Sequence, residues 1–336
     1  VHHTQHSYAL TSDLMDVDLY LERLRRGRVL SATELLRVCE RASTLFVEQP
    51  NVLSLAPPVT VVTNLHGHFY DLLEIFRVEG DCPDVNYLFL GGHVDYGWFS
   101  LLTISLLLCL KLRYPLRVNL LRGAHECQAV SKEFGLYDEC MRVYGDARLW
   151  REIVRCFTFL PLAAVLDRRL FAVHGGLSPD IDSVDQLLVL DRFGEPAAGG
   201  VVADLLWSEP DSEAKDFHKI TGSPGYVFGQ NAVNAFCSSN RLDRIVRGHR
   251  LCVDGYVHMF EGRLTSLWSA PNFLGRGGNV GATVRVEENL DVYNRFLAAP
   301  LCCRKIPDTM ADQELSHPSL SSYVVEKPLP DYYLCY

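Results

Sequence analysis

Histidine and glycine are concentrated in five short segments of this 336-residue chain, together with Asn64, Asp95 and Glu126. Each segment directly follows an apolar stretch, and the segments are residues 63–67, 91–97, 122–126, 174–176 and 247–249. Imidazoles and carboxylates are the groups that bind divalent metals and transfer protons in proteins. One such histidine would more often cap a strand or fill a polar pocket. Five such loops together indicate a shared site for metal-assisted or acid–base chemistry.

The apolar stretches that precede these segments have the length and composition of strands. We predict strands at residues 59–62, 86–90, 118–121, 170–173, 244–246, 264–268 and 282–286, with helices between the first three. The N-terminal part is predicted to be helical, because Leu21 and Leu24 share a helix face and Ser31 with Glu34 forms a capping-box pattern. This order predicts an α/β sandwich whose active groups lie in loops at strand ends.

Composition excludes several classes of function. The net charge is −9 and the basic residues are scattered, which argues against a nucleic-acid surface. The apolar run 99–112 is shorter than the about 20 residues of a membrane span, so we predict a buried helix and no membrane association. No signal peptide is visible, and 11 irregularly spaced cysteines favour reduced thiols in the cytoplasm or nucleus.

Longer motifs carry a family resemblance. They comprise residues 69–72, 137–140, 174–179, 205–211 and 269–272, together with 330–334 near the C-terminus. With the five polar segments, they make residues 16–300 resemble the phosphoprotein phosphatases, the metal-dependent Ser/Thr phosphatases, and most closely the type 2A-like subfamily. The resemblance implies a metallophosphoesterase-like β-sandwich flanked by helices. The expected organisation is a flexible N-terminus (1–12), a calcineurin-like metallophosphoesterase domain (13–300) and a C-terminal tail (301–336).

The resemblance also implies a catalytic centre. Family members hold two divalent metals (Mn, Fe or Zn), a hydroxide between the metals attacks phosphorus, and an Asp–His pair protonates the leaving oxygen. In this chain His66, His174 and His249 match three metal-ligand histidines. Asp95 and His125 match the proton-donating pair.

The remaining positions of that centre are altered. Asn64 replaces a ligand Asp, Gly92 replaces the bridging Asp and Ala124 replaces a ligand Asn. The positions of the two phosphate-gripping arginines hold Tyr96 and, by counting back from Gly225, Gly222. Phe273 stands where a tyrosine is expected.

These losses predict a centre without two metals, because paired cations need carboxylates between them to offset their repulsion. The expectation is a pseudophosphatase that binds type 2A-type scaffold and regulatory subunits, or phosphoproteins. Three alternatives stay open: one zinc on His66, His174 and His249, a divergent active phosphatase for phosphoserine and phosphothreonine, and a plain binding domain. His68 and His93 could also help rebuild a metal site, although polar surface positions are expected for both.

Overall fold

Two β-sheets stacked face to face lie at the centre of the computed structural model, which describes residues 16–288 and 292–297. The predicted N-terminus 1–12, the predicted tail 301–336 and the motif 330–334 lie outside the described residues. The strands, in chain order, are β1 (Val52–Leu55), β2 (Val59–Val62), β3 (Tyr87–Phe89), β4 (Val118–Leu120), β5 (Ala163–Leu166), β6 (Leu170–Val173), β7 (Glu209–Pro210), β8 (His218–Lys219), β9 (Tyr226–Phe228), β10 (Arg244–Arg247), β11 (Tyr256–Met259), β12 (Leu264–Leu267), β13 (Gly281–Val286) and β14 (Val292–Leu297).

Helices cover the outer faces of both sheets. They are α1 (Val17–Arg25), α2 (Ala32–Glu48), α3 (Phe69–Glu79), α4 (Ser100–Arg113), α5 (Gln128–Glu133), α6 (Leu136–Tyr144), α7 (Ala147–Phe157), α8 (Val184–Leu188), α9 (Val201–Trp207) and α10 (Gln230–Asn240). No helix in the described ranges is long and apolar enough to cross a membrane.

The first sheet has the order β1-β5-β6-β10-β12-β11 and the second β14-β13-β2-β3-β4. One apolar cluster fills the space between the sheets, for example Val61 and Leu88 from the second sheet and Val246 from the first. A second cluster joins α1–α4, α6 and α7 to the second sheet, and a third joins α8–α10 to the first. This arrangement confirms the predicted β-sandwich flanked by helices.

The predicted helical start and the predicted buried helix are both present. Ser31 and Glu34 form the capping box that begins α2. The apolar run becomes α4, and ten consecutive side chains from Leu101 to Leu110 are buried there, which explains its lack of an amphipathic pattern. All eight cysteines in the described residues are free and buried thiols.

Parallel pairing directs the polar segments to one end of the sandwich. Strands β2, β3 and β4 are parallel, and so are β6, β10 and β12. The carboxyl ends of parallel strands meet at one edge of a sheet. The segments after β2, β3 and β4 therefore lie beside one another, opposite those after β6 and β10.

A buried carboxyl group joins α6 to α4. Glu139 accepts a hydrogen bond from the backbone N–H of Leu101 (3.2 Å), and burial raises the pKa of Glu139 to about 8. The folded chain then binds more protons than the unfolded chain between about pH 4.5 and pH 8, so stability falls as pH rises through that window.

As pH rises through that window, we expect the ionisation of Glu139 to lower the free energy of unfolding by up to about 1.4 kcal/mol per pH unit. Glu139→Gln removes the ionisation but keeps an acceptor oxygen, so its stability curve should be flatter between pH 5 and pH 8. Urea denaturation at several pH values measures both curves. Parallel curves for the two proteins would show that Glu139 titrates normally.

Candidate active site

Backbone hydrogen bonds hold the segments after β2 and β3 together. The N–H of Asn64 donates to the Gly91 carbonyl (3.0 Å), and that of His66 donates to the Gly92 carbonyl (2.8 Å). The N–H of Gly97 donates to the His66 carbonyl (2.8 Å), and a Cβ at Gly97 would lie 2.3 Å from that oxygen. Residue 97 must therefore be glycine for the two loops to approach this closely.

Two further bonds join loops at this end, the first between loops of the first sheet and the second between the two sheets. The N–H of Gly248 donates to the His174 carbonyl (2.9 Å), and the N–H of His249 donates to Oδ1 of Asn64 (3.2 Å). Asn64 and His249 are 185 positions apart in the chain. The structure thus brings the predicted ligand positions of the first loop and of the last loop into contact.

The predicted proton-donating pair is formed. Nδ1 of His125 lies 2.8 Å from Oδ2 of Asp95, whose Oδ1 accepts from the N–H of Leu136 (2.9 Å). Burial raises the pKa of Asp95, and the hydrogen bond and charge of His125 oppose that rise. The His125 side chain is only 2 % exposed. The pair keeps its geometry, but its imidazole is almost closed to solvent.

Two of the histidines predicted to bind metal, His66 and His174, are held as neutral imidazoles. Burial, followed by neighbouring cationic groups, lowers the pKa of His66 and His174 well below the usual value. Their Nδ1 atoms lie 3.2 Å and 3.1 Å from the carbonyl oxygens of Val94 and Leu90. A carbonyl accepts, so Nδ1 carries the proton and Nε2 is left as the basic nitrogen. In the described part of the chain, Nε2 of His174 is buried without a hydrogen-bond partner.

His249 is oriented by a carboxylate that our sequence analysis did not identify. Its Nδ1 bonds to Glu209, which also pairs with Arg247 (3.0 Å). Burial lowers the pKa of His249, and Glu209 opposes that change. A carboxylate behind a ligand histidine fixes the ring orientation in metal sites. Glu209 begins β7 within the 205–211 motif, but the motif assigned it no role, so only the structure reveals the contact.

The three altered ligand positions do not suit a pair of metals. A Cβ at Gly92 would lie 3.0 Å from Oδ1 of Asn64 and 3.4 Å from Cε1 of His66, so position 92 faces the site but supplies no ligand there. Oδ1 of Asn64 already accepts from Thr63 (2.8 Å), while its buried Nδ2 has no partner among the described residues. Ala124 is fully buried and offers only a methyl group. No carboxylate stands at an inherited ligand position.

The zinc alternative stays a prediction. The rings of His174 and His249 are 5.3 Å apart, whereas His66 contacts His125 (4.7 Å). Within residues 16–288 and 292–297, no three His, Cys, Asp or Glu side chains are arranged to hold a metal ion. A zinc ion on His66, His174 and His249 would therefore require these side chains to move.

The expectation of surface positions for His68 and His93 was wrong. His93 is fully buried, and its Nε2 lies 3.1 Å from the Leu121 carbonyl. The His68 side chain is 9 % exposed and contacts Asp71 (3.1 Å). Both rings reach backbone or carboxylate partners beneath the loop, which offset the loss of hydration. They support the loop rather than face solvent.

Aromatic rings stand at two of the positions predicted to bind substrate, Tyr96 and Phe273. Tyr96 lies 5.4 Å from the His66 ring, 5.0 Å from His125 and 5.6 Å from Phe273. Phe273 also packs 4.9 Å from Trp268. Asp95 and Tyr96 both have left-handed backbone conformations (φ 73° and 60°), which turn the chain sharply at this point. The Tyr96 ring therefore covers the two histidines.

Gly222 is not brought against this cluster by any contact in the described residues. It is exposed in the turn between β8 and β9, and a Cβ placed there would have no described atom within 4 Å. Its φ of 78° would strain most other residues. Its predicted correspondence to a phosphate-gripping arginine stays a prediction.

Glu126 is a second residue that the sequence analysis left without a role. Its buried carboxylate accepts from the N–H groups of Gly92 (2.9 Å), His93 (2.8 Å) and Gly123 (2.9 Å). Glu126 directly follows His125 in the polar segment 122–126, so its position in the sequence could have indicated a role at the site. Glu126 holds the loops after β3 and β4 in fixed register.

Comparisons with known proteins agree with this geometry. Residues 57–252 match the model of the calcineurin-like phosphoesterase family. The chain is 41 % identical over 327 residues to a protein phosphatase 2A catalytic subunit of Dictyostelium discoideum, covering 97 % of this chain and 100 % of that protein.

Solved structures show the same fold. A protein serine/threonine phosphatase from Saccharomyces cerevisiae with similarity to human phosphatase PP5 has a TM-score of 0.78 and 29 % identity, covering 84 % of this chain and 97 % of that one. A cold-active protein-tyrosine phosphatase of a Shewanella species shares the fold alone (TM-score 0.56, 14 % identity, 76 % and 84 % coverage). The chain therefore belongs to the calcineurin-like phosphoesterase family and is a homologue of Ser/Thr protein phosphatase catalytic subunits.

Proposed function

We propose that this chain is a pseudophosphatase, a phosphatase homologue that has lost most or all hydrolysis and acts by binding other proteins. The observation that carries the proposal is the altered bridging position. A Cβ built at Gly92 would lie 3.0 Å from Asn64 and 3.4 Å from His66, but glycine places no carboxylate there. Two-metal phosphatases hold their ions about 3.5–4 Å apart, and that spacing requires anionic ligands.

Electrostatics support the same conclusion. The inherited ligands are neutral imidazoles and the amide of Asn64, whose Nδ2 is a hydrogen-bond donor. At an effective dielectric near 20, each lost carboxylate–cation contact at 4 Å removes about 4 kcal/mol per unit charge. Without metal, a water molecule keeps a pKa far above neutral and is a weak nucleophile.

The residues at the predicted substrate-binding positions favour the binding of proteins rather than of a phosphate group. An arginine would offer a charged bidentate grip, whereas Tyr96 offers an uncharged ring packed on His66 and His125. Partners would then be bound by the outer surface. The name of the Dictyostelium relative, a catalytic subunit, suggests scaffold and regulatory subunits of the type 2A system as partners. Phosphoproteins would be recognised by contacts away from the phosphate.

Metal content and turnover of the purified chain test the proposal. We expect no stoichiometric metal after equilibration with Mn²⁺ and Zn²⁺, and turnover of phosphopeptides at the level of buffer hydrolysis. A single bound zinc without turnover would revise the metal assignment but keep the pseudophosphatase. Two metals per chain with family-like turnover would disprove the proposal.

A divergent active phosphatase is the second candidate, because the His125–Asp95 pair keeps its 2.8 Å contact. If weak turnover is found, His125→Ala should reduce it by about 100-fold or more, the usual contribution of a general acid. Turnover that is unchanged in His125→Ala would come from a contaminant and not from this site.

A further inference from the structure

An exposed apolar loop follows α8 on the face of the first sheet. Leu188 is 47 % exposed, Val189 85 % and Phe193 50 %, all within six consecutive positions. Single exposed apolar residues are ordinary on protein surfaces, but a local group of three large ones is unusual outside binding sites. We call Leu188, Val189 and Phe193 the 188–193 patch.

A buried arginine holds this loop from below. Arg192 donates to the carbonyl oxygens of Phe46 (2.7 Å), Gln49 (2.7 Å) and Phe159 (3.1 Å), and to the side chain of Asn51. The guanidinium also lies 4.8 Å from the centre of the Phe193 ring. The loop is thus anchored to the C-terminal end of α2 at the residue next to Phe193.

Two more polar side chains fix the rest of the loop. Nδ2 of Asn51 donates to the carbonyls of Leu187 (2.8 Å) and Leu190 (2.7 Å), and Arg122 donates to that of Gly194 (2.7 Å). The apolar side chains are therefore presented on a backbone that is already ordered. A preordered surface avoids the entropy cost of ordering a loop on binding.

The stretch of chain that carries the patch is acidic. Five exposed acidic residues occur between positions 180 and 195, namely Asp180, Asp182, Asp185, Asp191 and Glu195. Arg192 is the single basic residue in that stretch, and its side chain is buried. An apolar surface with an acidic rim complements an apolar segment that carries lysine or arginine.

The C-terminal residues 298–336 or a second copy of the chain could also be considered as occupants of the patch. The charge of each complements the acidic rim less well than a basic segment does. Residues 298–336 contain five acidic and three basic residues. A second copy of the chain would place one acidic rim against another, which costs free energy. Charge therefore favours a different protein.

We propose that the 188–193 patch is a docking surface for a partner-protein segment whose apolar side chains are flanked by lysine or arginine. The proposal deepens the proposed function, because a homologue that acts by binding needs a surface outside the covered site. Contact with Leu188, Val189 and Phe193 would supply the apolar burial, and the acidic rim would select basic flanks and speed association.

The probe is a fluorescein-labelled 12-residue peptide in which alternating leucine and valine are flanked by paired lysines, and anisotropy measures its binding to the full chain. We expect binding that weakens as salt rises. Val189→Arg should weaken it at least about tenfold, because a cation is placed in the patch. Leu116→Arg is the matched control, since Leu116 is 88 % exposed elsewhere and should have no effect. Val189 is so exposed that its variant should fold normally.

Three results would overturn the proposal. They are equal loss of binding in Val189→Arg and Leu116→Arg, stronger binding of a peptide with glutamate in place of lysine, and a dimer in sedimentation that Val189→Arg dissociates. The last result would assign the patch to a second copy. Phosphatase turnover is measured on the same samples. An active chain that binds the probe through Val189 would end the pseudophosphatase proposal but leave the docking surface in place.

Discussion

Glu126→Ala is expected to lower the free energy of unfolding by about 4 kcal/mol, which would make it one of the most destabilising single changes at the site. The fully buried carboxylate accepts from three backbone N–H groups, those of Gly92, His93 and Gly123, at 2.8–2.9 Å. Hydrogen bonds to a charged acceptor contribute about 1.5–3 kcal/mol each, and stranded buried donors add a penalty that water entry partly relieves. The melting temperature should fall by about 10 °C.

Urea and thermal denaturation measure this loss. Glu126→Gln gives an intermediate test, because one amide oxygen can still serve two donors while the amide NH₂ meets the third. Glu48→Ala is the matched control, since Glu48 is exposed on the last turn of α2 and should change stability by less than about 0.5 kcal/mol. Equal denaturation midpoints for Glu126→Ala and Glu48→Ala would show that the loops do not depend on this carboxylate.

Local patterns in the sequence predicted much of the fold. The capping box at Ser31 and Glu34, the continuous apolar run of α4 and the seven apolar stretches all depend on neighbouring residues, and each predicted element is present. Strands β1 and β5 were not predicted. β1 lies at the edge of its sheet and pairs with β5, more than a hundred positions away, so no local sequence signal marks this pairing.

The sequence predicted which loops meet at the site, but it gave no role to Glu209 or Glu126 and did not predict how the side chains pack. The prediction that the loops at the strand ends meet correctly placed Asn64 beside His249. The burial of His93 depends on a carbonyl 28 residues away, and the orientation of His249 depends on Glu209, 40 residues away. The place of the Tyr96 ring follows from contacts with His66 and Phe273. These arrangements are set by tertiary contacts and have no local sequence signal.

Restoring the inherited ligands is expected to produce the largest change in chemistry. In the variant Asn64→Asp, Gly92→Asp, Ala124→Asn, two carboxylates and one amide oxygen stand at the three positions that the family resemblance assigns to metal ligands. We expect the variant to bind about two Mn²⁺ per chain, because the repulsion between the ions is then offset. Metal analysis after equilibrium dialysis measures the ratio. At a metal concentration 100 times the dissociation constant, each bound ion should stabilise the fold by about 2.7 kcal/mol.

The backbone can accept the change at position 92. The φ of Gly92 is 68°, and aspartate is among the residues that tolerate this region at a cost of about 1–2 kcal/mol. The nearest contacts of a new Cβ, 3.0 Å to Cα and Oδ1 of Asn64, require a shift of a few tenths of an ångström. The triple variant should therefore be less stable than the natural chain without metal and more stable with it. Such a crossover would separate metal binding from a general effect on folding.

Gly92→Ala is the control that separates strain from ligand chemistry. It adds the same Cβ at the same φ but no carboxylate, so it should be destabilised without gaining Mn²⁺. Adding Tyr96→Arg to the triple variant removes the ring that covers His66 and His125 and returns a phosphate-binding cation, so turnover should rise above that of the triple variant. Equal Mn²⁺ binding by the natural chain, Gly92→Ala and the triple variant would mean that the lost carboxylates do not control the site. In that case the retained histidines, and not the missing anions, would set its affinity for metal.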